Sequence, residues 1–431
     1  MTHGPILGGL SEDGSISIWA RTSAPTSFEV RFAPKGQPRK QVARSEATEF
    51  EHDCTGYVEL SELQPETEYA YQVYVAGYPQ GSVGRFRTLP NPGKRAEAKY
   101  NPGGLYNFAF EIGSCANQNP MHGIGHSLPL YETMNHEIAG QVDFAIMNGD
   151  WLYEELRDTP PSVWQAKNRL PDDEVPKVVQ QMPSIVGVWE NYKLYMSRGV
   201  PLMDWHQRVP SFFTFDDHEL VNDIWGAGSP GRRHRRTVFR DIGTQAWYDY
   251  LGWANPTEHD AGIHFGVGSM RQGSDLLHDP NADFDKLPLG QLSNLHVHWG
   301  GLNAGVNESQ FDDDSGEPNS KVYAIEEVVD ARTLRLHEPA VASGNVNYSI
   351  GRRNYGSMRV ANCEILFLDT RSHRDMHDVR QPDKPGLSML GYQQRDWLEQ
   401  TMRESDAEFF FVVSSVPMFI PHSGAGGFEF D

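Results

Sequence analysis

Asp143-Phe144-Ala145-Ile146-Met147-Asn148-Gly149-Asp150-Trp151-Leu152-Tyr153-Glu154 is the stretch on which the rest of the chain turns. Its first half is a short apolar run suited to a buried strand, and Gly149-Asp150 breaks it abruptly into metal-ligand residue types. Ser211-Phe212-Phe213-Thr214-Phe215-Asp216-Asp217-His218-Glu219 behaves the same way. So do Phe108 to Ile112 running into Gly113-Ser114-Cys115, Ile365 to Leu368 into Asp369-Thr370-Arg371, and Phe409 to Val413 into Ser414-Ser415. Ligands of α/β sheets gather at the carboxyl ends of the strands, so five such strand ends predict one site.

Helices fill the intervals between these strands. Leu128 to Ala139, Gly187 to Met196, Arg240 to Leu251 and Tyr392 to Glu404 have helical apolar spacing, which makes residues 105–258 and 351–431 an α/β region. The rings of Trp189, Tyr192, Tyr195, Trp247, Tyr248 and Tyr250 read as core. Residues 1–90 read as an all-β sandwich, with alternating runs at Ser15 to Ala20, Phe28 to Phe32, Gly56 to Leu60, Glu68 to Val75 and Arg85 to Thr88. Leu63-Gln64-Pro65-Glu66-Thr67-Glu68-Tyr69 looks like an edge of a fibronectin type III domain, and Leu89 to Lys94 reads as a rigid linker. Residues 259–350 are rich in Gly, Asn, Asp and His and predict a small β insertion, with strands at Lys321 to Val329 and Thr333 to His337. Within it, Asp312-Asp313-Asp314 lacks the spacing of a calcium loop and reads as a solvated loop, and His296 and His298 read as surface histidines.

At 431 residues the chain is long enough for two or three domains, and 38% hydrophobic residues suffice for packed cores. Lys and Arg number 37 against 58 Asp and Glu, a formal charge of −21 that disfavours nucleic acid and anionic membranes as partners. A small anionic substrate is compatible, because a bound metal reverses the local field. Cys54, Cys115 and Cys363 show no paired spacing, so neither a disulfide framework nor a zinc ribbon is expected. Cys54 and Cys363 read as buried small hydrophobes. No apolar stretch is long enough to span a bilayer, and Met1-Thr2-His3-Gly4-Pro5 lacks the features of a signal peptide. The expectation is a protein inside the cell, or a mature or trimmed form.

The rim offers a thiol at Cys115, a carboxylate and a phenol three residues apart at Asp150 and Tyr153, and Asp216, Asp217, His218 and Glu219. That set suits a transition metal with harder cations beside it. Thiolate and phenolate favour a high oxidation state, which points to ferric iron (Fe3+), with calcium or another divalent ion on the carboxylate side.

As a set, Gly113-Ser114-Cys115, Gly149 to Glu154 and Phe215-Asp216-Asp217-His218-Glu219-Leu220-Val221-Asn222 resemble the motifs of PhoD-type alkaline phosphatases, members of the calcineurin-like metallophosphoesterase superfamily. Asp369-Thr370-Arg371, the helix before Phe409 and the leading β domain follow in the same order. The resemblance implies an α+β sandwich core, iron held by Cys115, Asp150 and Tyr153, and calcium nearby. It places Asp217 where the superfamily has its bridging Asn, and His218 where it has the following His. Asp216 is an alternative ligand, and Asn222, followed by Asp223, a candidate for the second cation.

The implied activity is hydrolysis of small phosphate esters by a metal-bound hydroxide or oxide, with Asp217 and His218 catalytic. Arg371, Arg232 and Arg233 are candidates for drawing the phosphate, and the Gly231 to Arg236 run reads at least equally as a solvated basic face. The competing readings are a phosphotriesterase or phospholipase-like hydrolase on the same scaffold, and a non-catalytic binding protein or inactive truncated form. By resemblance the location would be periplasmic or extracellular. The family also closes its site with an Asp/His element on a later strand. Past Val413 only His422, in a Pro- and Gly-flanked loop, and Asp431 are offered. The expectation is therefore that the C-terminal part of the catalytic domain is missing, or that a second polypeptide completes it.

Overall fold

The computed structural model describes residues 1–118, 125, 127–153, 166, 171, 185–220, 237–257, 262–298, 318–319, 321–374, 388–417, 422–424 and 427–429. The first ninety residues form two sheets. Strands β1 (His3–Gly8), β2 (Ile16–Arg21) and β5 (Thr55–Leu60) make one. The other is β4 (Gln41–Arg44), β3 (Phe28–Pro34), β6 (Glu68–Val75) and β7 (Tyr78–Arg87), in that order. Alternation decides which face is inward: Phe28, Val30 and Phe32 are buried, whereas Glu29 and Arg31 between them stay partly exposed. They meet Ile16 and Ile18 of the facing sheet, and Tyr69 stacks on Phe86 at 5.4 Å, so the sandwich core is continuous.

Two strands here differ from expectation. The run at Arg85 begins at Tyr78, because Ala76 and Gly77 both take positive φ (49° and 81°) and turn β6 tightly into β7. The N-terminal stretch is itself a strand, buried through Ile6 and Leu7. The linker stretch Leu89 to Lys94 runs into a one-turn helix, Pro92–Arg95, which Asn91 caps by accepting from the Lys94 N–H at 3.1 Å.

The organising strands lie where the apolar runs place them. β8 (Phe110–Gly113), β9 (Phe144–Asn148) and β10 (Ser211–Thr214) form a parallel sheet with β9 central. Phe144 and Ile146 face one core cluster and Ala145 and Met147 the other, so both faces are covered, as parallel strands require. Helices α1 (Pro129–Glu137), α2 (Ile185–Arg198), α3 (Val200–His206) and α4 (Thr237–Tyr250) are part of this region. Trp189, Tyr192, Tyr195, Trp247 and Tyr250 are core residues there, with Tyr248 partly buried. Trp19 of β2 joins the sandwich to this core, donating its Nε1–H to the Asp249 carbonyl at 2.8 Å.

Seven strands between His264 and Arg352 form an antiparallel sheet, within a few residues of the bounds expected for the insertion but with more strands than the two expected there. It contains β11 (His264–Met270), β12 (Leu276–His278), β13 (Leu292–His298), β14 (Val322–Tyr323), β15 (Ile325–Asp330), β16 (Thr333–Leu336) and β17 (Gly344–Arg352). The single strand expected over Lys321 to Val329 is two strands with different partners, β14 on β13 and β15 on β16. His296 is a correction: it is buried, not a surface residue, because Asp241 and the Ser372 carbonyl satisfy both ring nitrogens. Asp312, Asp313 and Asp314 lie outside the described residues.

The chain then forms β18 (Gly356–Val360), β19 (Cys363–Phe367), helix α5 (Gly391–Glu404) and β20 (Phe409–Val413), with β19 and β20 parallel. Phe212 lies 5.6 Å from Phe367 and Phe110 meets Phe411 edge-on at 5.4 Å, which brings this sheet against the β8–β10 sheet. β21 (His422–Gly424) and β22 (Gly427–Glu429) pair as a hairpin, so the backbone of His422 is in a strand rather than a loop. Among the described residues no helix is long and apolar enough to cross a membrane.

His206 gives the fold a testable pH signature. Trp151 donates its Nε1–H to His206 Nε2 at 3.0 Å, and Nδ1 lies 2.9 Å from the Ser211 hydroxyl, so the buried ring is neutral. Burial lowers its pKa from 6.5 to about 3. A depressed folded-state value means that the contribution is complete above pH 6.5 and is lost as pH falls toward about 3, while the unfolded chain takes up the proton. The urea midpoint of the protein should therefore fall on acidification below pH 6.5, and His206→Gln should flatten that fall. Equal slopes in equilibrium unfolding would refute it.

Candidate metal centre

All five predicted strand ends converge. β9 ends at Asn148, and Gly149 (φ +78°) turns the chain sharply; a Cβ there would stand 2.8 Å from the Cβ of Asp216. Asp150 and Cys115 also adopt positive φ (55° and 62°), uncommon for residues with side chains. They hold each other: the Cys115 N–H donates to the Gly149 carbonyl at 3.2 Å and the Ala116 N–H to the Asp150 carbonyl at 2.8 Å.

Asp150 is the hub of the site. Its Oδ2 accepts from the Tyr153 hydroxyl at 3.1 Å and lies 3.4 Å from the Cys115 sulfur. The ring centroids of Tyr153 and His218 are 3.9 Å apart. Ligand atoms of Asp150, Asp217 and His218 all lie within 4.8 Å of one another. The Oδ1 atom of Asp150 is buried and has no hydrogen-bond partner among the described residues.

The electrostatics describe a site short of positive charge. Burial, then Asp217 and Asp216, push the Asp150 carboxyl up to about 7. Burial also raises the Cys115 thiol, and burial with the charge of Asp150 raises the Tyr153 phenol. A cation held here would relieve all three, since it favours the anionic form of each donor. Orphaned Oδ1, clustered carboxylates, thiol, phenol and imidazole together fit a metal centre.

The remaining candidates divide. The side chain of Asp216 turns to Arg371, whose Nε and Nη2 lie 2.7 and 2.6 Å from its Oδ1, and to the Ser415 hydroxyl at 3.1 Å. The alternative ligand and the phosphate-drawing arginine are thus each other's partners, and Asp217 is the aspartate that joins the cluster. Asn222, Arg232 and Arg233 lie outside the described residues, as does the side chain of His422. Cys54 and Cys363 are buried as expected.

Sequence reasoning named Glu219 only as part of a run, and it is the residue that fixes the site. Its buried carboxylate accepts from the N–H groups of Asp150 (3.1 Å), Trp151 (2.6 Å), Leu152 (3.4 Å) and Asp216 (2.9 Å). Burial and the nearby Asp150 push it up to about 8. The available signal was the spacing, a Glu three residues after Asp216 that reaches back to the Asp216 N–H, as in a capping box.

Comparison with known proteins bears on the whole chain. The PhoD-like phosphatase family model matches residues 108–296 and 341–426, and that of the PhoD-like phosphatase N-terminal domain matches residues 1–90. A solved structure of PhoD aligns over 96% of this chain at 16% identity with a TM-score of 0.53; the chain spans 62% of the length of that structure. A purple acid phosphatase from yellow lupin (Lupinus luteus) seeds aligns over 95% of this chain and 50% of its own, at 11% identity and a TM-score of 0.41. No curated protein matches. The overlay on PhoD shows the fold, and the family matches extend over both the sandwich and the region that carries the cluster, so the chain belongs to the PhoD-like phosphatase family.

Proposed function

We propose that this protein is a metal-dependent phosphoesterase acting on small phosphate esters. The observation that carries the reading is the Asp150, Asp217 and His218 cluster, with Asp150 Oδ1 buried and unpartnered where parallel strands end. Membership of a phosphatase family supports it. Cys115, Asp150 and Tyr153 would hold one ion, and thiolate with phenolate suits ferric iron. Asp150 and Asp217 would face a second, for which oxygen donors suit calcium or another divalent cation. Such cations, when bound, neutralise the anionic oxygens of the ester and stabilise the departing oxygen.

The chain's own residues do the rest. Asp150 has two carboxylate oxygens, so it can face both ions, while Glu219 fixes its backbone from behind. His218, half-buried beside the Tyr153 ring, is placed to donate a hydrogen bond to a phosphate oxygen or a proton to the leaving oxygen. Arg371 keeps its guanidinium at the rim because Asp216 pairs with it, and that fixed charge favours a phosphate group.

Asp150→Asn and Asp217→Asn should each lower hydrolysis of aryl phosphate mono- and diesters by about 100-fold or more, since an amide replaces neither charge nor ligand strength. Steady-state assays with added iron and calcium check this, and near-normal rates in either variant would show the site to be misplaced. The metal assignment has its own readout. The purified protein should contain iron and absorb visible light through a phenolate-to-iron transition that Tyr153→Phe abolishes while the iron remains bound. Zinc alone, with no visible band, would overturn the iron assignment and leave the hydrolase reading standing.

A further inference from the structure

The Arg371 segment is held from a direction that the site does not explain. Both ring nitrogens of His296, on β13 of the seven-stranded sheet, face acceptors. Nδ1 lies 3.1 and 3.0 Å from the two oxygens of Asp241 on α4, and Nε2 lies 2.9 Å from the carbonyl of Ser372. A carbonyl only accepts, so Nε2 carries a proton and donates it to Ser372. Nδ1 meets a carboxylate, so the His296–Asp241 pair holds two protons between them. Ser349 of β17 donates its hydroxyl to the same carboxylate. Imidazole and carboxylate are both buried, and one residue separates Ser372 from Thr370 at the rim.

Other fastenings of the segment come from its own carboxylate, from helix α5 and from the rim. The Asp369 carboxylate accepts from the N–H groups of Arg371 (3.1 Å) and Ser372 (2.8 Å), and the Gln394 amide brackets the Asp369 backbone with two 2.8 Å bonds. From the seven-stranded sheet, His296 reaches this backbone right after the residue that pairs with Asp216.

We propose that His296, oriented by Asp241, is a positioning residue for Arg371, so that the seven-stranded sheet sets the geometry of the phosphate-facing rim. The kinetic consequence rests on the phosphoesterase reading, whereas the structural consequence does not. A displaced guanidinium would weaken binding and orientation of the ester without removing any metal ligand, and a misplacement of about 1 Å suffices for a loss on the order of 100-fold.

The test compares His296→Leu, His296→Gln and Asp241→Asn in the full chain. Amide hydrogen exchange is followed by mass spectrometry on the peptide holding Arg371 and Ser372. The leucine variant should exchange there at least about tenfold faster, because the segment opens locally. The glutamine variant, whose amide can still donate to Ser372, should retain most of the protection, and Asp241→Asn should fall between the two. In kinetics, kcat/KM should drop about 10- to 100-fold in the leucine variant, largely through KM. Adding the same change to Arg371→Ala should cause no further loss. Unchanged exchange in the leucine variant overturns the proposal, as do independent, multiplying kinetic losses. If the leucine variant does not fold, unchanged exchange in a folded Asp241→Asn protein overturns it equally. Should the wild type hydrolyse no phosphate ester, the phosphoesterase reading fails while the exchange result still decides the role of His296.

Discussion

One buried carboxylate, that of Glu219, receives N–H groups from the ends of two different strands, and the site exists only while it does so. Three donors belong to Asp150, Trp151 and Leu152 after β9, and the fourth to Asp216 after β10. Hydrogen bonds to a carboxylate are roughly twice as strong as neutral ones, which lets this group hold Asp150 in a backbone conformation costing about 1–3 kcal/mol. The neighbouring Cys115 is held with a similar φ, its N–H donating to the Gly149 carbonyl while the Ala116 N–H donates to that of Asp150. Thiol, carboxylate and phenol meet because one loop is pinned from beneath.

Pinning with an acid has an electrostatic consequence. Burial raises the pKa values of Asp150, Asp216 and Glu219 most, Asp217 adds to the effect on Asp150 and Asp216, Asp216 to that on Asp150, and both Asp150 and Asp216 to that on Glu219. Arg371 offsets part of this by pairing with Asp216. His218 offsets part of the effect on Asp150, whose Oδ1 has no hydrogen-bond partner among the described residues. The donors form an arrangement that is unfavourable alone and favourable around cations, which is how a binding site can be strained without being unstable.

The legible part of this protein is the part in which residue type and neighbour are local. The five strand ends could be read because each apolar run stops at a polar residue, and the sandwich because its strands alternate. Helix bounds came within a few residues for the same reason. The seven-stranded sheet was underestimated because its strands do not look like strands. β11 reads His264-Phe265-Gly266-Val267-Gly268-Ser269-Met270, and glycine is normally depleted there. Those glycines exist for their cross-strand neighbours: a Cβ on Gly266 would lie 2.4 Å from the Tyr348 ring, and one on Gly268 3.0 Å from the His278 carbonyl. His296 reads as a surface histidine from its neighbours in sequence, and its burial depends on Asp241, 55 positions away. Periodicity fixes which side chains share a face and says nothing of what that face meets.

Asp216 is where the two halves of the site are joined. Its N–H is held by Glu219, which belongs to the β9–β10 side, and its carboxylate by Arg371 and Ser415, which follow β19 and β20. Ser415 in turn meets the Thr370 hydroxyl at 2.7 Å, and Asn148 donates across to the Ser414 carbonyl at 2.9 Å. The two sheets are otherwise in contact through apolar rings such as Phe212 and Phe367, which tolerate sliding. Directional bonds do not tolerate it, so the polar rim sets the register between the sheets that the apolar contact leaves loose. The sequence places Asp216 and Asp217 side by side with identical chemistry, and backbone direction separates their surroundings: one bonds the sheets together and the other joins Asp150 and His218. Exchanging the two tasks would require the turn after β10 to rotate by one residue, which Glu219 prevents by fixing the Asp216 N–H.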